Sequence, residues 1–305
     1  MRPDNTRFSC LLISTTFFLL LQLTACQKVV HINLASSPPQ LVVEGAIETG
    51  LPPYVFLTTT ISFFSQVNLT TLQNSFVHGA NVQVTCGAKT ITLKEYSFDT
   101  SGGNLFYVYT VDTSNLNNIM IGQVDSFYQL TIVYNGTTYT SVTKIPNPKG
   151  VDSLWFAAPT FKNSKTPDSA VQLYVNYTDP DTPGNYVRYF TKINSQPFFP
   201  SQLFSDEVVN GKYVPDIALE AGYNPVQDAN NDSLIYFYPG DSVVLKWCEI
   251  DKNVYNFWNT LQFANNALGN PFATPINVQT NISNGALGVW AGYGSIVYPA
   301  LVVPH

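Results

Sequence analysis

Charge is scarce in this chain. Only 11% of its 305 residues are Asp, Glu, Lys or Arg, with 20 acidic against 14 basic side chains and a net charge of −6. A typical soluble domain carries about 25% charged residues. No basic stripe exists, which excludes the phosphate-tracking surface that nucleic acid requires. Histidine is scarcer still, with His31, His78 and His305 making up all 3. They are too scattered for a histidine-based triad or a zinc site. No Gly-x-Ser-x-Gly elbow and no phosphate-binding glycine loop occurs. The 4 cysteines show no metal-type spacing. No cofactor is expected.

What is abundant is aromatic and strand-forming. Aromatics reach 14%, with 18 Tyr and 20 Phe, and Asn, Thr and Ser fill the polar positions. Tyr, Thr, Val and Phe favour strands, and this much apolar material is enough to bury a core.

The N-terminus reads as a lipoprotein leader. Arg2 and Arg7 supply a positive region, and Cys10 to Leu21 a short apolar one. Leu23-Thr24-Ala25-Cys26 then brings small residues up to a cysteine. The apolar run is too short, and too interrupted by Ser and Thr, for a comfortable span of about 20 residues. We therefore expect residues 1–25 to be a signal peptide and Cys26 to carry lipid that holds the protein at a membrane. Residues 26–39 form a tether ending in Ser36-Ser37-Pro38-Pro39. Cys10 leaves with the signal. Cys86 and Cys248 are expected to be buried, unpaired thiols.

Strand signals begin at Leu41. Leu41, Val43, Gly45 and Ile47 alternate with Val42, Glu44 and Ala46. Further runs follow at 54–60, 82–86, 90–93, 105–111 and 127–134. Asn135-Gly136 joins the last of these to 137–144, a strong hairpin signal because both central residues must take positive φ. About seven short strands without helical period predict an immunoglobulin-like β-sandwich over 40–146. Ile145-Pro146-Asn147-Pro148-Lys149-Gly150 then denies regular hydrogen bonding and marks a domain boundary.

The second unit, 150–305, reads as another β-sandwich-type domain, so the fold class is all-β. Val171, Leu173, Val175 and Tyr177 share one face of a strand, and 186–193 is its expected hairpin partner. Ser242 to Ile250 is another strand, and 286–303 supplies one or two more. One helix is predicted at about 252–268. Val254, Phe257, Trp258, Leu261, Ala264 and Leu268 follow helical spacing, Asp251 can cap the start, and Gly269 and Pro271 can end it. Its Phe/Trp stripe is expected to pack across a sheet.

Candidate chemistry is sparse. Asp179-Pro180-Asp181-Thr182-Pro183-Gly184-Asn185 and Asp228-Ala229-Asn230-Asn231-Asp232 have spacings that a calcium loop could use. Neither fits an EF-hand, and Asp-Pro and Pro-Gly are strong turn formers. No metal is therefore expected, with Asp179, Asp181 and Asn185 the nearest approach to a ligand set. Asp206, Glu207, Asp216 and Glu220 are the carboxylates that a glycosidase-type pair would draw on, the least favoured reading. No catalytic residue is assigned. Segment 196–238, long and punctuated by prolines, is the expected recognition surface, with Asp206, Glu207, Tyr213 and Tyr223 as its contacts. Arg188 sits in a β run, where a buried guanidinium would need a carboxylate partner.

Several stretches together resemble one family. They are Leu41-Val42-Val43-Glu44-Gly45; Asp179-Pro180 with Asn185-Tyr186-Val187-Arg188-Tyr189; Phe204-Ser205-Asp206-Glu207 with Gly211; Gly240-Asp241-Ser242-Val243; Tyr255-Asn256-Phe257-Trp258; and Asn270-Pro271-Phe272-Ala273-Thr274-Pro275 leading to Asn281-Ile282-Ser283-Asn284-Gly285. In order and spacing they are similar to the Bacteroidota lipoprotein family catalogued as domain of unknown function 4249. The resemblance implies an outer-membrane lipoprotein found with TonB-dependent receptors of the starch-utilisation type. It implies no established activity, so it transfers no catalytic residue. Surface-exported lipoproteins of that phylum tend to carry acidic residues after the lipidated cysteine, and Gln27-Lys28-Val29-Val30-His31 has none. The membrane face, periplasmic or external, is left open. The expected function is a non-enzymatic accessory or docking component of such a receptor. The alternative is a glycan- or nutrient-binding module.

Overall fold

The computed structural model of the chain describes residues 38–61, 68–99, 103, 105–162, 166–224, 235–268, 270, 272, 274 and 276–304. The leader, Cys26, Gly269, Pro271 and the loop 228–232 lie outside the described residues. The described residues are predominantly β, with 49% strand and 10% helix.

The first half supplies β1 (Leu41–Glu48), β2 (Tyr54–Thr59), a short helix α1 (Leu69–Gln73), β3 (Asn81–Cys86), β4 (Lys89–Asp99), β5 (Leu105–Thr110), β6 (Ser126–Tyr134) and β7 (Thr137–Ile145). β6 and β7 form the expected hairpin, with Asn135 at φ +49° and Gly136 at φ +76°. Alternation puts Val43, Ile47, Leu57, Val82, Ile91, Leu130 and Ile132 into one core.

The second half supplies β8 (Ser153–Ala157), β9 (Gln172–Thr178), β10 (Tyr186–Ile193), β11 (Phe199–Ser205), β12 (Tyr213–Leu219), β13 (Ser242–Ile250), α2 (Lys252–Ala267), β14 (Leu287–Val297) and β15 (Leu301–Val302). A twelve-stranded sheet runs β11-β10-β13-β14-β1-β2-β5-β4-β3-β6-β7, with β15 pairing β13, and a second sheet runs β12-β9-β8. Strands on both sides of 146–150 thus share one hydrogen-bonded path, through β1 and β14.

This joint differs from a sandwich closed within 40–146. β14 pairs β1 in parallel, with Val43 opposite Gly288 and Gly45 opposite Trp290. Trp290 is fully buried in the first core, and its indole nitrogen donates to the Tyr128 carbonyl at 2.9 Å. β7 lies against the same strand: a Cβ on Gly292 would sit 2.2 Å from the Lys144 carbonyl oxygen. On the opposite face of β14, Val289, Ala291 and Tyr293 join a separate core with α2. One strand therefore serves two cores.

The β10–β13 region is sandwiched. Leu173, Val175 and Tyr177 of the small sheet pack on Val187, Tyr189, Leu245 and Trp247. α2 covers the other face, burying Val254 and Phe257 against Cys248 and Ile250. Asp251 caps it by accepting from Val254 N at 3.0 Å. Leu268, expected in the apolar stripe, is 78% exposed because it is the extended C-cap residue. Two further expectations are corrected. β10 pairs with β11 and β13, not with β9, which belongs to the other sheet. The 196–238 segment contains two strands, β11 and β12. Cys248 is buried and Cys86 half-buried, both free.

Candidate functional site

Alternation along β10 sends Val187 and Tyr189 into the sandwich core and leaves Arg188 and Phe190 on the α2 side. Arg188 is thereby buried, at 8% exposure. Its guanidinium lies 3.6 Å from the centre of the Trp258 ring and 5.2 Å from that of Phe190. Nη1 donates to the Tyr293 hydroxyl at 3.1 Å, and Trp258 Nε1 donates to the same oxygen at 3.1 Å. Burial pushes the Tyr293 phenol up, so it stays a neutral acceptor at this position.

The stacking continues outward. Lys246 Nζ sits 4.6 Å from the Phe190 ring and 5.1 Å from that of Phe198. The two cations of this ladder are treated differently. Lys246 is neutralised by Glu48 at 2.9 Å. Arg188 has no carboxylate within ion-pair distance among the described residues, so the carboxylate partner expected for it is replaced by two ring faces and a phenol. Glu44 senses the charge from further away. Desolvation raises its carboxyl and Arg188 opposes the rise.

Arg188 opens onto a cavity of about 740 Å³. α2 contributes Trp258, Leu261, Gln262, Asn265 and Asn266 to its walls. β11 contributes Ser201, Gln202 and Leu203, and the segment after β12 contributes Glu220, Tyr223 and Asn224. That last segment is clamped to β11. Tyr223 N donates to the Pro200 carbonyl at 2.8 Å, and a Cβ on Gly222 would lie 2.1 Å from the Phe199 carbonyl oxygen. The buried Tyr189 phenol ties the wall from behind, accepting from Glu220 N at 2.9 Å and from Ser201 Oγ at 2.8 Å. The result is a polar–aromatic hollow whose described lining carries one cation, Arg188, and one carboxylate, Glu220.

The residues singled out from sequence disperse. Asp206 is buried and accepts from Gly184 N at 2.6 Å and Asn185 N at 2.9 Å. Asp179 is buried and accepts from Gly211 N at 3.1 Å, its carboxyl raised by burial and by the nearby Asp206 and Asp181. Asn185 Nδ2 donates to the Thr182 carbonyl. These are turn-closing roles, and Asp181 stays exposed. Among the described residues no group of three His, Cys, Asp or Glu side chains is placed to hold a metal. Glu207 is exposed on the β11–β12 connection and Tyr213 at the start of β12, whereas Tyr223 lines the cavity. Asp216 sits at an irregularity of β12 with φ +54°. His78 pairs with Glu95 at 2.5 Å, away from these groups on the first core's side. Sequence reasoning missed Arg188 as a site residue. Its one signal was a guanidinium between the apolar pairs Tyr186-Val187 and Tyr189-Phe190.

Residues 27–296 match the model of a family described as a domain of unknown function, DUF4249. No curated protein matches the chain.

Proposed function

We propose that this chain, which belongs to the DUF4249 family, is a non-enzymatic, lipid-anchored binding protein of the outer membrane whose ligand occupies the cavity between α2 and β11. The observation that carries the reading is the cavity itself. Its volume of about 740 Å³ falls in the range that holds small-molecule ligands, and its walls combine a few convergent polar groups with aromatic and aliphatic surface. Amide side chains from Gln202, Gln262 and Asn265 offer donors and acceptors, as a glycan or peptide nutrient requires. The lipid anchor rests on the Leu23–Cys26 motif. A glycan array and a peptide array probed with the full chain and with Asn265→Trp test the reading. Retention of a compound by the wild type, lost in the variant that obstructs the cavity, supports it. Retention of nothing, or equal retention by both, overturns it.

A second reading is docking beside a TonB-dependent receptor, as the resemblance implies. It is favoured by one observation: Tyr213, at the start of β12, is 56% exposed, and Val208 on the preceding connection is 83% exposed. Tyr is enriched among interface anchors. Gentle solubilisation and affinity isolation test it. A stoichiometric β-barrel partner supports docking, and its loss on Tyr213→Ala locates the contact.

A further inference from the structure

We infer that the cavity recognises its ligand through a single carboxylate group held by Arg188. This rests on the binding reading above and names the chemistry of the ligand. Burying a cation without a counter-charge is strongly unfavourable, and buried charges are ordinarily paired. Arg188 is more than nine-tenths buried, yet Glu48 pairs with the nearby Lys246, and Glu44, which feels the Arg188 charge, forms no ion pair with it. What Arg188 receives is geometry. The Trp258 face at 3.6 Å and the Tyr293 hydroxyl at 3.1 Å fix the plane of the guanidinium while using one of its five N–H donors. Arg188 lines the cavity, and the donors left on its planar guanidinium supply the fork that a carboxylate matches with two parallel hydrogen bonds.

The rest of the wall narrows the class. Among the described lining residues Glu220 is the one carboxylate and Arg188 the one cation. Arg188 can match one negative charge, and the second charge of a dianion such as a phosphate ester finds no counter-charge among the described lining residues. A monoanion with hydroxyl or amide groups suits the hollow, because the amides of Gln202, Gln262 and Asn265 can meet such groups. Two ligand sources share this chemistry: a uronic-acid sugar and the C-terminus of a short peptide.

The experiment is calorimetric titration of the full chain in detergent with matched pairs. One pair is cellobiouronic acid against cellobiose. The other is an N-acetylated tripeptide with a free C-terminus against its carboxamide. Inorganic phosphate is the dianion control. The acid of one pair should bind at least about tenfold tighter than its neutral twin, and which pair responds identifies the source. Arg188→Lys should lose about tenfold of that preference through loss of the fork, and Arg188→Met all of it. Asn265→Trp leaves Arg188 untouched and should abolish binding, which covers the case in which Arg188→Met does not fold. Neutral twins binding as well as acids, tighter binding of phosphate, or a preference that survives Arg188→Met overturns the inference. If array compounds are retained and lost in Asn265→Trp while no acid probe binds, the carboxylate inference fails and the binding reading stands. If nothing is retained on the arrays, both fall.

Discussion

The Thr143 hydroxyl joins two strands and a helix: it accepts from Gly292 N at 2.8 Å and donates to Asp251 Oδ2 at 2.8 Å. Asp251 in turn caps α2 with its other oxygen. Thr143 is buried at 1% exposure, so no water replaces it. Thr143→Val keeps the shape and removes both bonds, leaving a buried amide unsatisfied. The expected cost is about 1–3 kcal/mol, read from the urea midpoint. An unchanged midpoint would show that this relay does not hold β7, β14 and α2 together.

Gly292 and Gly288 allow the close approach at that joint. A Cβ on Gly292 would lie 2.2 Å from the Lys144 oxygen, and Gly288 combines φ +103° with a Cβ position 1.9 Å from the Val43 oxygen. The obstacle is backbone in each case and cannot rotate away. Gly292→Ala should destabilise by about 3 kcal/mol or more. Gly50, also at positive φ but with open space around it, is the control. Gly50→Ala should cost about 1 kcal/mol. Equal losses for the two would remove the packing argument.

Buried carboxylates give a pH signature. Glu249 is 5% exposed, and its carboxyl is raised first by burial, with Asp179 and Asp206 adding to the rise. The Lys149 amide at 3.0 Å and Lys144 oppose it. A folded-state value above the unfolded one means that the native protein holds the proton longer. Stability therefore falls as pH climbs from the ordinary value of 4.5 through the raised one. Glu249→Gln, which keeps an acceptor for Lys149, should match the wild type near pH 4 and exceed it at pH 7. Lower stability of the variant at pH 7 would contradict this.

Local pattern carried much of the fold, and the exceptions have physical reasons. The Asn135-Gly136 hairpin, the Asp251 cap and the Val254/Phe257 stripe all act within a few residues of sequence, and all were legible. The β1–β14 pairing was not, because parallel strands from opposite ends of the chain leave no turn between them to read. β11 and β12 were hidden by Pro200 and Pro215. Both are edge strands, where proline costs little, and Pro215 falls within the irregularity between Val214 and Ile217. At the site, Tyr223 was singled out from sequence and does line the cavity. Arg188 was read as needing a carboxylate. Its actual partners, Trp258 and Tyr293, come from a helix and a strand far along the chain, and no spacing rule links them.

The anchor has a separate test. Cys26→Ser should release the protein into the soluble fraction or leave an unprocessed precursor, because stable membrane attachment by acylation needs two chains. A serine variant that is processed and fractionates like the wild type would exclude lipidation at Cys26.

The most direct measurement for the binding account is titration of the carboxylate probes into wild type and Asn265→Trp side by side. Asn265 is exposed on α2 and lines the cavity, so the bulkier side chain obstructs the hollow without replacing a residue of any of the three cores. The account predicts one-to-one binding heat from at least one acid probe with wild type, none with the variant, and closely matching thermal midpoints. Equal heats in the two proteins, or none in either, would contradict it.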